Sequence, residues 1–225
     1  MARFLAIGMV LVSWALMLSC KGQINKNTSL PSTPNNVNGM VGGPFENGDF
    51  LLICGYFLSN SLRNNDFVSF LSKIKSEKSK TTLLLDTGWP PEEWTSQVKR
   101  EVFNLLPYID YFLPNEIEID HLTDYRPTNI FKHWPGTLIT KVGKDGSRVI
   151  TRYDSYYIPT IQVEVKDTIG AGDYFNAGFI WGLWKGFDLL QSVRVANIVA
   201  SLNISLDAQR AKLSNPTDIE RVLNC

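Results

Sequence analysis

Two carboxylates bracket a run of very small residues between Asp167 and Asp173, DTIGAGD. Gly170, Ala171 and Gly172 leave the backbone open to close approach, and apolar residues recur at every fourth position behind them, at Phe175, Phe179 and Leu183. That spacing predicts a helix over Gly172 to Lys185. The first-turn N–H groups of such a helix have no partner within it, and its dipole is positive at that end, so the turn forms an anion site. Asp173 falls in the same first turn. A carboxylate there accepts the proton of a hydroxyl while the neighbouring amides stabilise a phosphoryl group in transfer, a reaction that asks chiefly for positioning and electrostatics. Taken alone, the same residues also make an ordinary tight turn with an acid favoured at a helix start.

The elements that must position this loop alternate in type. Phe50 to Tyr56 (FLLICGY) is a short apolar run suited to a buried strand, and Asn64 to Lys78 carries Phe67, Phe70, Leu71 and Ile74 at helical spacing. Thr82 to Leu85 predicts a strand ending in Asp86, Glu92 to Leu106 a helix, and Tyr111 to Leu113 a short strand stopped by Pro114. Thr137 to Thr140 and Arg148 to Arg152 flank Lys144-Asp145-Gly146, which has the chemistry of a hairpin turn. Leu189 to Leu202 and Thr217 to Leu223 predict further helices. Strands alternating with helices imply an α/β fold with a mostly parallel sheet covered on both faces. Functional residues then belong at the C-terminal ends of strands, where Asp86, Asn115 and the loop before Gly172 lie.

Over Asp167 to Gly186, DTIGAGDYFNAGFIWGLWKG resembles the C-terminal signature of the ribokinase/PfkB carbohydrate kinases. LPNEIEIDHLT (Leu113 to Thr123) is similar to the family's NxxE segment, TKVGKDGS (Thr140 to Ser147) to its segment near the nucleotide, LLLDTGW to the strand ending in Asp86, and VANIVASL (Val195 to Leu202) to its late helix. The resemblance spans about residues 48–225. It implies a ribokinase-like fold and transfer of the ATP γ-phosphoryl group, with magnesium, to a hydroxymethyl group of a sugar or nucleoside. Asp173 would be the catalytic base, and Gly170, Ala171 and Gly172 the anion hole. Asn115, Glu118, Thr140, Gly143 and Asn197 would serve the nucleotide, with Glu118 also serving magnesium, directly or indirectly. Asp167 lies where the family helps bind a monovalent cation, although the later stretch that usually contributes Gly-Ala reads Asp207-Ala208-Gln209-Arg210 here. A homodimer is one alternative, since the family often pairs through its lid.

The N-terminal portion expected of the family, with its lid and sugar-binding strands, is not legible. Residues 1–47 read as a hydrophobic segment followed by a polar linker (Gln23 to Asn47), with residues 48–225 as the kinase domain. Phe4 to Leu18 fits a buried strand begun by RFLAIGMVLVS, a secretory or lipoprotein-type leader ending near Cys20, or an anchor, although it is short for a membrane span. A cytoplasmic protein is expected on the first reading, an exported or anchored one on the others. Trp89 and Trp94, after Asp86, either line an acceptor pocket or cover the sheet. A shortened acceptor side leaves open a second function, a non-catalytic nucleotide-binding or regulatory module.

The bulk numbers exclude other classes. Twenty-two basic side chains balance 22 acidic ones in 225 residues, so no basic field points to nucleic acid and no acidic excess to disorder. Cys20, Cys54 and Cys225 are too far apart for a disulfide framework or zinc spacing, and His121 and His133 read as packing or surface residues.

Overall fold

The computed structural model describes residues 4–7, 50–78 and 80–205. They form two compact units, the first holding residues 4–7, 50–78, 80–139 and 150–154, the second residues 140–149 and 155–205.

In the first unit the strands β1 (Phe4–Ile7), β2 (Phe50–Cys54), β3 (Thr82–Asp86), β4 (Tyr111–Phe112) and β5 (Thr137–Lys141, ending in the second unit) neighbour one another in chain order. Every pairing along this run is parallel, and one register line passes through Ile7, Ile53, Leu85, Phe112 and Leu138. The start of the apolar N-terminal stretch is therefore a strand at Phe4–Ile7, and the remainder of Phe4 to Leu18 lies outside the described residues. Among the described residues no helix is long and apolar enough to cross a membrane.

Alternate strand residues Leu51, Ile53, Leu83, Leu85, Phe112 and Leu138 share one core with the apolar faces of three helices. These are α1 (Asn65–Glu77), α2 (Ser96–Leu105) and α3 (Glu116–Thr123). Leu52, Leu84 and Ile139, between them in the pleat, are buried as well, the pattern of a parallel sheet hidden on both faces. Asn64 and Thr95 cap α1 and α2 by accepting the N–H of Phe67 and of Val98. The second helix begins at Ser96, four residues after the expected Glu92, for a local reason: Glu93 has φ 60°, outside the right-handed helix, in a turn closed onto the Pro90 carbonyl.

In the second unit the end of β5, β6 (Ser147–Ile150, the last residue belonging to the first unit) and β7 (Ser155–Ile158) again neighbour in order. Gly146 turns the chain with φ 102°, and a Cβ there would stand 2.3 Å from the Ile158 carbonyl oxygen, so only glycine fits. The helices α4 (Ala171–Trp184) and α5 (Leu189–Ile204) pack at close range: a Cβ on Gly182 would lie 2.8 Å from Ser192 Cα, and one on Gly178 3.0 Å from Ala196 Cα. The expected helix at Thr217 to Leu223, the Asp207 to Arg210 stretch and the linker Gln23 to Asn47 lie outside the described residues.

Candidate active site

The loop Asp167–Gly170 is fixed before it reaches the helix. The backbone N–H groups of Lys166 and Asp167 donate to the Ile204 carbonyl at 2.8 and 3.2 Å, tying the loop to the end of α5. The Asp167 carboxylate accepts the Ile169 N–H at 2.9 Å, an Asx-type turn that holds the chain for the glycines that follow. Ile169 is left exposed on the loop.

Gly170 is the N-cap of α4, with φ 77°. That left-handed backbone favours glycine, and glycine brings no oxygen to cap the helix. The start of α4 accordingly has no side-chain cap, whereas Asn64, Thr95, Asn115 and Asp188 each cap theirs with a side-chain oxygen. Asp173 stands half-buried in this first turn. The neighbouring Tyr174 phenol is pushed above its ordinary range first by burial and then by the Asp173 carboxylate.

Among the described residues, apart from its two chain neighbours and the backbone of its own helix, a Cβ built on Gly172 would meet one atom within 4 Å, Lys141 Nζ at 3.5 Å, an ordinary contact distance. The lysine arrives from the end of β5, which the same unit contributes. Thr140, beside it in the strand, is buried, and its Oγ1 has no hydrogen-bond partner. Gly143, two residues past the strand, has φ 60° and open space where a Cβ would stand.

Asn197 is almost wholly buried on α5. Its Oδ1 accepts the Ser147 hydroxyl at 2.5 Å, its Nδ2 donates to the Ile158 carbonyl at 2.9 Å, and its own carbonyl accepts the Thr160 hydroxyl at 3.1 Å. These bonds lock β6 and the segment after β7 to α5, so any nucleotide contact by this amide would be additional to them.

Asn115 and Glu118 belong to the first unit, at the start of α3. The Asn115 side chain accepts the Glu118 N–H at 2.8 Å and the Glu118 carboxylate accepts the Asn115 N–H at 2.9 Å, a reciprocal capping box. Glu118 is buried at 5% exposure, which a merely solvated helix acid would not be. Among the described residues no group of three or more His, Cys, Asp or Glu could hold a metal ion. Glu118 offers the kind of hard carboxylate oxygen that a magnesium ion takes alongside nucleotide phosphates and water.

The structure thus places Gly170, Ala171, Gly172, Asp173, Thr140, Gly143, Asn197 and Asp167 in one unit and Asn115 and Glu118 in the other. Trp89 is exposed and Trp94 buried, their rings meeting edge to face at 6.0 Å. Lys141 was not among the residues expected at the site, because strand alternation sets it opposite Thr140 without saying which face meets the helix start.

A parallel α/β core is followed by a helix start whose N-cap, Gly170, brings no side-chain cap. Residues 23–216 match the sequence model of the pfkB family of carbohydrate kinases, and the chain belongs to that family. It is 33% identical over 101 residues to a ribokinase of Lactococcus lactis subsp. lactis, covering 44% of this chain and 34% of that protein. It is 29% identical over 168 residues to a 5-dehydro-2-deoxygluconokinase of Bacillus thuringiensis, covering 69% of this chain and 50% of that protein. The chain therefore spans half or less of the length of these two relatives. Its fold is similar to the crystal structure of aminoimidazole riboside kinase from Salmonella enterica with aminoimidazole riboside and an ATP analogue, at TM-score 0.68 and 18% identity over 81% of this chain and 65% of that one.

Proposed function

We propose that the protein transfers the γ-phosphoryl group of ATP to a hydroxymethyl group of a sugar or nucleoside. The observation that carries this reading is the start of α4: a left-handed Gly170 without a side-chain cap, a second glycine at Gly172, and Asp173 in the first turn. The named activities of its relatives, on ribose, 5-dehydro-2-deoxygluconate and aminoimidazole riboside, support the substrate class.

In the step, the acceptor hydroxyl oxygen attacks the γ-phosphorus while its proton passes to the Asp173 carboxylate. The bond from phosphorus to the β,γ-bridging oxygen breaks, and ADP leaves with that oxygen. The amides from Gly170 to Gly172 face the charge that gathers on the phosphoryl oxygens, where fixed donors need no reorganisation. Gly170 and Gly172 matter here for what they lack, since a side chain would occupy the phosphate's place. Magnesium supplies charge neutralisation along the phosphates. In the first unit Asn115 and Glu118 are the family segment proposed to serve it, Glu118 being held in position by the capping box. Thr140, Gly143 and Asn197 are proposed for the nucleotide, and Asp167 for a monovalent cation.

The test is ADP release from ATP and magnesium by the purified chain across a panel of sugars, sugar phosphates and nucleosides. Acceptor-dependent release is expected. Asp173→Asn, which keeps the size and removes the base, is expected to lower the rate by roughly a hundredfold or more while ATP still binds. Turnover undiminished in Asp173→Asn would remove Asp173 from the mechanism. ATP binding with no turnover on any acceptor would replace the kinase reading by that of a nucleotide-binding module.

A further inference from the structure

Lys141 is a basic side chain that the second unit brings beside Gly172 at the start of α4, and it has no role in the reading above. We propose that its ammonium group is a phosphate-contacting residue of the nucleotide site, meeting the terminal phosphate oxygens beside the Gly170–Gly172 amides. The inference rests on the kinase reading and adds to it the residue that supplies full positive charge.

Position is the first argument. Lys141 Nζ stands 3.5 Å from the place a Gly172 Cβ would take, and among the described residues, apart from the two chain neighbours and the backbone of its own helix, no other atom comes within 4 Å. A group entering the space that glycine leaves there meets the ammonium first. Strand geometry is the second. Successive β5 residues face opposite ways, so the buried Thr140 turns away and Lys141 is the residue delivered to the helix start. The third is electrostatic. Cations stabilise helix C-termini and are unfavourable at N-termini, because both carry positive charge. A lysine held against the start of α4 is therefore placed for an anion. The Asp173 carboxylate is one such anion in the same turn, and a transferring phosphoryl group is the other. Partial charges on amides and the full charge of an ammonium together match an anion that changes position during transfer.

The competing role is structural, with Lys141 acting only through Asp173, and nucleotide binding separates the two. The full chain, Lys141→Ala, Lys141→Arg, Asp173→Asn and the Lys141→Ala/Asp173→Asn double variant would be titrated with ATP, ADP and AMP in the presence of magnesium by calorimetry. The proposal predicts that Lys141→Ala weakens ATP at least tenfold, ADP less and AMP not at all, and that Lys141→Arg keeps most of the affinity. It also predicts the same loss for ATP when Lys141→Ala is made in the Asp173→Asn background. Equal weakening of all three nucleotides, unchanged ATP affinity, or a loss that disappears in the Asp173→Asn background would each overturn the role of Lys141 and leave the kinase reading intact. Failure of the unmodified chain to bind ATP would overturn both together.

Discussion

At the scale of single residues, the first unit holds its polar groups by burial as much as by pairing. Tyr56 is 2% exposed, with its ring against Phe57 and Phe67. Burial pushes its phenol from 10.0 up to about 12, the Glu101 carboxylate adds to the rise, and the Arg63 guanidinium opposes it. A folded-state value above the unfolded one means that the neutral phenol is favoured by folding. Its contribution to stability is therefore complete below about pH 10 and is lost as pH rises toward 12. Urea unfolding at pH 9 and pH 11 should show a steeper loss for the wild type than for Tyr56→Phe. Some loss persists in the variant, because burial raises the Tyr111 and Tyr174 phenols as well. Equal losses in both proteins would mean that Tyr56 reaches water in the fold. Arg63 itself is held by two carboxylates, Glu101 at 2.9 Å and Glu92 at 2.7 Å, and its guanidinium lies 5.3 Å from the Phe57 ring centroid. Those bonds hold Arg63 more firmly charged and keep the Glu92 carboxyl below its ordinary range.

At the scale of elements, α4 carries the candidate site at its N-terminus, and its direction is set by how closely it packs on α5. Gly182→Ala would place a methyl group 2.8 Å from Ser192 Cα, a backbone atom that cannot swing aside. The helix-propensity gain of about 1 kcal/mol from replacing glycine is outweighed by overpacking of roughly 1–3 kcal/mol. The melting temperature is expected to fall, by calorimetry or far-ultraviolet circular dichroism, and nucleotide affinity to fall with it as the start of α4 shifts. An unchanged melting temperature would show that the two helices separate at little cost. Elements with a clean period were legible in the sequence: α1 was expected at Asn64 to Lys78 and lies at Asn65–Glu77. Others were not, for identifiable reasons. Two prolines and the turn at Glu93 displaced the start of α2. The alternation in EIEIDHLT obscured α3, which is eight residues long. The strand β7, SYYI, is largely exposed and gives no burial pattern to read. Asn115 and Glu118 were legible as a motif, yet the capping box emerges only in the fold, because residue type alone cannot tell a cap from a ligand. Lys141 was hidden because its facing depends on which side of β5 its side chain leaves.

At the scale of the whole molecule, a balanced formal charge of zero provides no long-range pull on a nucleotide, so recognition rests on local groups. The groups proposed for the phosphates lie in the second unit at a helix start that has no side-chain cap, and filling that start with phosphate should stabilise the fold by mass action. A ligand present at one hundred times its dissociation constant contributes about 2.7 kcal/mol. For a chain of this size each kcal/mol shifts the melting temperature by roughly 2–4 °C, which gives an expected rise of about 5–10 °C with saturating ATP and magnesium. Asp173→Asn should show the same rise, since removing a base that acts in the transition state leaves ground-state binding in place. It removes one negative charge from beside the phosphate as well, so a slightly larger rise than in the wild type also fits. Scanning calorimetry of both proteins with and without ATP and magnesium decides the point. A rise in the wild type that is absent in Asp173→Asn would make Asp173 a binding group. Stabilisation by ATP in both, set beside turnover in the wild type alone, would separate the anion hole from the base.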